Sequence, residues 1–230
     1  MIDIIAIDGP SGVGKSTVAR RVALALGLGY VDTGAIYRAI AWNAIKNKID
    51  LSDETNLYEK SNNIQITVTP LDQFAKQQIF IHDTEITLAI RTPAVTDATS
   101  IISKLPRIRA LAVSLQKKLA NQSKNGAVLE GRDIGTVVFP DAKLKIYLDA
   151  SPEVRANRRM LELKQQGYST NLKTILDQIS VRDERDSNRE HSPLKPADDA
   201  VTILTDGLSI EDVVNRILML YQSRTEKQHE

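Results

Sequence analysis

Residues Gly9-Pro10-Ser11-Gly12-Val13-Gly14-Lys15-Ser16 spell G-x-x-x-x-G-K-[ST], directly after the apolar run Ile2-Asp3-Ile4-Ile5-Ala6-Ile7 and directly before a helical stretch. A glycine-rich turn joining a buried strand to a helix commits the chain to an α/β sheet. Glycines let backbone N–H groups turn around an anion without Cβ clashes, and the helix dipole adds positive potential at the same point. The spacing implies a nucleoside triphosphate, with Lys15 reaching the β- and γ-phosphates and the Ser16 hydroxyl on Mg²⁺. The triphosphate contacts expected here are Gly9, Pro10, Ser11, Gly12, Val13, Gly14, Lys15, Ser16 and Thr17.

The rest of the chain keeps the alternation that this unit begins. Strand-like runs occur at Ile2–Ile7, Gly29–Asp32, Ala127–Glu130, Leu144–Asp149 and Ala200–Thr205, several almost continuously apolar, as in strands buried on both faces of a parallel sheet. Helical patterns lie at Lys15–Leu26, Gly34–Lys46, Thr92–Asn121, Pro152–Gln166 and Leu172–Asn188, and Ser209-Ile210-Glu211-Asp212 opens a last helix with a capping-box-like start. Residues Ile64–Thr69, Gln78–His82 and Thr84–Thr87 instead alternate apolar and polar side chains, with His82-Asp83 as a tight turn. The expected fold is a P-loop α/β domain with a five-stranded parallel sheet flanked by helices, a small antiparallel insertion and a short lid. One domain fills 1–230, with a core of about 1–62 and 91–225, an insert at about 63–90 and a lid at about 157–171.

Composition removes whole classes of function. Without cysteine, disulfides, thiolate catalysis and Cys-ligated zinc are excluded. A net charge of +1 provides no global field for nucleic acid or an anionic membrane, so the expected partners are small phosphorylated molecules. No apolar run approaches the roughly 20 residues of a membrane span, and Asp3 and Asp8 replace the basic start of a signal segment. The expectation is a cytoplasmic protein with no membrane partner. His82, His191 and His229 form no metal-spaced set and read as surface residues, and the polar tail from Gln222 reads as frayed.

Arginine placement carries the remaining chemistry. A planar guanidinium holds phosphate oxygens by paired, charge-assisted hydrogen bonds, and several converging on one cleft can neutralise two phosphorylated substrates. Arg182, Asp186 and Arg189 fall at i, i+4 and i+7, one face of a helix, although a solvated salt-bridge ladder has the same spacing. Glu130-Gly131-Arg132-Asp133 ends a buried strand, where an α/β sheet presents side chains to its ligand. Asp32-Thr33-Gly34 ends another, with Thr33 read as the cap of the next helix and Arg38 as projecting from it, while Tyr37 and Trp42 read as packing residues. Asn47-Lys48-Ile49-Asp50 spells N-K-x-D, but it follows an early strand and no D-x-x-G string accompanies it, so guanine recognition is rejected.

Gly9–Ser16, Asp32–Arg38, Ile90-Arg91-Thr92, Pro106-Arg107-Ile108-Arg109, the string Glu130-Gly131-Arg132-Asp133-Ile134-Gly135-Thr136-Val137-Val138-Phe139-Pro140 and the run Arg182–Arg189 together resemble the bacterial cytidylate kinases, in order and over nearly the whole chain. The resemblance implies a nucleoside monophosphate kinase that moves the γ-phosphoryl group of ATP to CMP or dCMP, with Mg²⁺ accompanying ATP and the protein acting as a monomer. It assigns Ser100, Arg109 and Asp133 to the cytosine, Arg38, Arg132 and Arg189 to the acceptor phosphate, and Arg182 with Asp186 to the sugar side. Thr33 joins the substrate set, and Lys15, Arg132, Arg158, Arg182 and Arg189 form the catalytic set. Arg158 and Arg159, with the turn after Gln165, correspond to the lid over the ATP phosphates. This chain departs from the family's usual Asp at Glu130 and usual Ser at Thr33. An AMP-, UMP- or shikimate-type kinase shares the loop and lid, and a P-loop switch without an acceptor shares the loop alone.

Overall fold

The computed structural model describes residues 2–165, 167, 169–190 and 192–226. Gln166 and Tyr168 of the expected lid, His191, and residues 227–230 of the polar tail, His229 among them, lie outside the described residues.

Five strands, β1 (Ile4–Asp8), β2 (Gly29–Asp32), β6 (Ala127–Gly131), β7 (Leu144–Asp149) and β8 (Val201–Leu204), form one sheet in the order β2-β6-β1-β7-β8. β1 pairs parallel with β7, Asp8 opposite Tyr147, and β7 pairs parallel with β8. Every residue of β1 and of β6 is buried, which explains the apolar runs Ile4–Ile7 and Ala127–Leu129 that precede the buried charges Asp8 and Glu130. A second sheet, β3 (Ile66–Val68), β4 (Ile79–Ile81) and β5 (Thr84–Glu85), is antiparallel, and His82 turns between β4 and β5 at φ +50° as the alternation predicts.

The chain divides into two compact units, Ala23–Leu129 with the first two residues, and Asp3–Val22 with Glu130–Glu230. The first holds α2 (Thr33–Lys46), α3 (Glu54–Ser61), α4 (Pro93–Ile102), α5 (Pro106–Ala120) and the antiparallel sheet. Its core is built on Ile40, Leu57, Ile86, Ile90, Ile102 and Ile108, all fully buried. The second holds α1 (Lys15–Leu26) as far as Val22, α6 (Pro152–Gln165), α7 (Leu172–Ser187) and α8 (Ile210–Glu226) around Ile5, Ile7, Leu144 and Ile146. A satellite cluster of Ala156, Ile175 and Ile179, with Met160 and Leu163 against it, packs α6 on α7.

Four local expectations are corrected. The single helix expected over Thr92–Asn121 is two, because Pro106 forces Leu105 out of the helical region, to φ −77° and ψ 120°. α3 has no counterpart in the sequence reading; Asp53 caps it by accepting from Asn56 N at 3.0 Å, and Leu57 anchors it. Asp32, not Thr33, caps α2, accepting from Ala35 N at 2.8 Å, while Thr33 is the first helical residue and buried. α7 ends at Ser187, so Arg189 lies beyond the helix rather than on its face. The capping box at α8 is present: Ser209 N donates to Asp212 and Asp212 N donates back to Ser209 Oγ. The N-K-x-D string follows α2, with Asn47 as the helix's C-cap and Lys48 at φ +53°.

Candidate active site

The loop after β1 begins at Gly9, where φ is +149° and a Cβ would stand 2.1 Å from Leu148 O, so no other residue fits. Lys15, 5% exposed, donates to Pro10 O at 2.7 Å and folds back over the loop it closes. Burial, followed by the nearby Arg132 and Arg182, pushes its ammonium well below the ordinary lysine range, while Glu130 and Asp8 oppose that shift. A cation so placed gains most when phosphate charge arrives beside it.

Two arginines of α6 fasten the same loop from outside. Arg155 is buried and donates to Ala150 O at 3.0 Å and to Ser11 O at 3.1 Å, while pairing with Asp183 of α7 at 2.5 Å. Arg158 donates to Val13 O at 3.2 Å and to Thr205 Oγ1 and O at 2.8 Å each. Arg159, its neighbour in the expected triphosphate set, is exposed and pairs with Glu162.

Elsewhere in this unit, Asp186 is 1% exposed and sits among guanidinium groups. Arg132 donates to its Oδ2 at 3.0 Å, Arg189 to its Oδ1 at 2.5 Å, and Arg185 stands 3.6 Å from Oδ1. Burial raises the Asp186 pKa, but Arg132, Arg189 and Arg182 together bring it below the ordinary carboxylate range. The solvated-ladder alternative therefore fails for Asp186, and Arg189 reaches it without sharing the helix face that spacing suggested. Asp133 is buried at the entry of a π-helical turn, Ile134–Val138.

Arg38, Ser100 and Arg109 lie in the first unit. Arg38 donates to Asp32 Oδ2 at 2.9 Å, across one turn of α2. Ser100 donates to Thr96 O of its own helix at 3.2 Å. Arg109 is buried, donates to Ser103 O at 3.1 Å and lies 5.9 Å above the Tyr37 ring.

Two residues escape the sequence reading. Asp8, at the end of β1, accepts from Ile134 N at 2.9 Å and Gly135 N at 2.8 Å. Burial pushes its carboxyl up to about 6, the two amide bonds and Lys15 holding it down and Asp133 holding it up. Its signal is a charge at the C-terminal end of a buried strand, as at Asp32 and Glu130. Arg155 shares the arginine-bearing stretch of Arg158 and Arg159, but the sequence does not give its partners, which are mostly backbone carbonyls.

The cytidylate kinase family model matches residues 5–223. The chain belongs to the cytidylate kinase family. A cytidylate kinase of Desulfitobacterium hafniense is 46% identical over 222 residues, covering 96% of this chain and 94% of that protein. A bifunctional pantoate ligase/cytidylate kinase of Acaryochloris marina is 48% identical over 225 residues, 97% of this chain but 42% of that protein. The chain thus spans about two-fifths of the bifunctional relatives it matches. The fold is also that of a shikimate kinase from Bacteroides thetaiotaomicron, at TM-score 0.50 and 13% identity over 96% of this chain and 99% of that one. Among the described residues no helix is long and apolar enough to cross a membrane, and no cluster of three His, Cys, Asp or Glu could hold a metal ion.

Proposed function

We propose that the protein transfers the γ-phosphoryl group of ATP to CMP or dCMP, giving ADP and CDP or dCDP. The observation that carries this reading is the cytidylate kinase family match over residues 5–223, which spans the P-loop and the Arg132–Asp186–Arg189 cluster alike. The nucleophile is a phosphate oxygen of the monophosphate, already mostly ionised because its second pKa is about 6, so no general base is required. The protein aligns two polyanions and stabilises the charge spread over the migrating group. Lys15 and the loop Gly9–Ser16 take the triphosphate. Arg132, Arg182 and Arg189 take the acceptor phosphate and the transferring group, with Asp186 orienting them and meeting the sugar. Arg38 adds to the acceptor phosphate, with Thr33 beside the acceptor, and Ser100, Arg109 and Asp133 read the cytosine. Arg158 and Arg159 serve the lid, whose closure excludes water as a competing acceptor.

Mg²⁺ fits the donors present: Ser16 and the phosphates offer hard oxygens, and this ion commonly uses one or two protein oxygens and keeps its waters. Held there by the Ser16 hydroxyl it would offset the negative charge of the phosphates. The test is coupled ADP release with CMP, dCMP, UMP, AMP and shikimate offered in turn. Release with the cytidine monophosphates above all others is expected. Release with none, or with shikimate, overturns the reading.

A further inference from the structure

The first N–H groups of any helical turn lack partners within it. In the π-turn Ile134–Val138 those of Ile134 and Gly135 are taken by the two carboxylate oxygens of Asp8, 126 and 127 residues away. Asp133, the residue placed to cap this turn, makes no side-chain cap bond. Asp8 thus supplies, from the strand that launches the phosphate-binding loop, the cap of the turn that follows Arg132 and Asp133. The joint has little slack. A Cβ on Gly135 would meet Lys145 Cδ at 3.2 Å and Asp8 Oδ2 at 3.5 Å. The carboxylate does this at 5% exposure, with Asp133 repelling it and Lys15 the attractive charge beside it. An ion held at such cost serves better as a geometric tie than as a stabiliser.

We infer that Asp8 is a positioning residue for phosphoryl transfer: by holding the Ile134 and Gly135 amides it fixes Arg132 and Asp133 relative to Lys15. The inference rests on the kinase reading for its reaction and on the two amide bonds for its geometry. Misplacing a catalytic arginine by about 1 Å lowers turnover by on the order of 10²-fold, so even a partial slip is measurable.

Asp8→Asn in the full chain is the test, with kcat, KM for ATP, KM for CMP, thermal unfolding and amide exchange measured together. Asn keeps one acceptor oxygen and turns an NH₂ toward the second amide, while removing the buried charge, so the fold persists. We expect kcat to fall about 10-fold or more and KM for CMP to rise, with KM for ATP within about twofold. Exchange should quicken at Ile134 and Gly135 selectively. Asp8→Glu, which keeps the charge and both oxygens one methylene further out, should recover part of kcat. A kcat within about twofold of wild type overturns the inference, as does an equal loss on both substrates accompanied by general loss of stability. If the wild type phosphorylates no monophosphate, the kinase reading falls alone. The amides then decide: selective loss of protection supports Asp8 as the tie, and unchanged protection overturns it.

Discussion

The two compact units hold their candidate residues by different means. In the unit that holds β1, β7 and β8, several groups are cross-linked over long sequence distances, Asp8 to Ile134 and Gly135, Arg132 to Asp186, Arg155 to Ser11 and Asp183, beside the local bonds of Lys15, Arg159 and Arg189. In the other, Arg38 and Ser100 bond within six residues of themselves, to Asp32 and Thr96, while Arg109 joins a local bond to Ser103 with a place over the Tyr37 ring. Long-range, charge-assisted ties fix geometry before substrate arrives, which is what stabilising a transition-state charge requires. Local bonds leave side chains able to exchange a neighbour for a substrate at little cost. The groups proposed for the phosphates are thus tied in advance, and Arg38 and Ser100, proposed for the acceptor, are the more exchangeable.

The largest effect should come from Lys15→Ala. It removes the buried cation of the cross-linked unit and leaves Asp8 and Glu130 without the charge that faces them. Turnover should fall by on the order of 10²–10³-fold, read by single-turnover ADP formation. Activity within about threefold of wild type would break the comparison at its strongest point.

Asp186→Ala comes next, since it leaves Arg132 and Arg189 facing one another without their shared anion. Breaking a buried pair is strongly destabilising, and with these guanidinium groups 18% and 14% exposed the loss should be about 3 kcal/mol in urea unfolding. CMP and dCMP affinities should fall and ATP affinity should hardly change. A loss confined to ATP would point to a lid role instead.

Asp8 and Asp186 also separate by pH. The Asp186 pKa is lowered, so its stabilisation is present above the unfolded carboxylate value and lost as pH falls through the folded one. Asp8 has the opposite sign. Its pKa is raised from 3.8 to about 6, so between those values the native state holds a proton that the unfolded chain has released, and stability declines as pH rises. The groups facing it are Lys15 of α1, Asp133 before the π-turn, Tyr147 beside it on β7 and Lys145 against Gly135. About 2–3 kcal/mol present near pH 4 should be missing at pH 7, and Asp8→Asn should flatten that slope in equilibrium unfolding. An unchanged slope would assign the decline elsewhere.

The loop was legible in the sequence because it is local: strand, glycines, lysine and helix are consecutive, Gly9 takes a backbone that only glycine fits, and Lys15 folds back onto Pro10 O. The sheet was legible for a similar reason, since strands buried on both faces advertise themselves. What escaped was set by contacts that no pattern carries. Asp8 bonds to amides, which every residue possesses, and Arg155 mostly to carbonyls. Arg189 meets Asp186 as the spacing suggested, but past the end of α7, because the chain leaves the helix at Asn188 and still folds back. Thr33 lost its cap role to Asp32, whose carboxylate also serves Arg38.

Ser100→Ala should have the smallest effect and sharpens the comparison most. Ser100 spends its hydroxyl on Thr96 O, a back-bond to its own helix that adds little to stability, and alanine is the better helix former. Thermal unfolding should therefore stay put or rise slightly, by less than about 0.5 kcal/mol. If Ser100 exchanges that bond for the cytosine, KM for CMP should rise about fivefold, the worth of one neutral hydrogen bond, with kcat and KM for ATP unchanged. A change in the CMP constant without a change in stability is the signature of an exchangeable contact, the reverse of Asp186→Ala, where the two move together. If instead KM for CMP stays at the wild-type value, Ser100 is an ordinary helix residue, and cytosine recognition rests on Arg109 and Asp133.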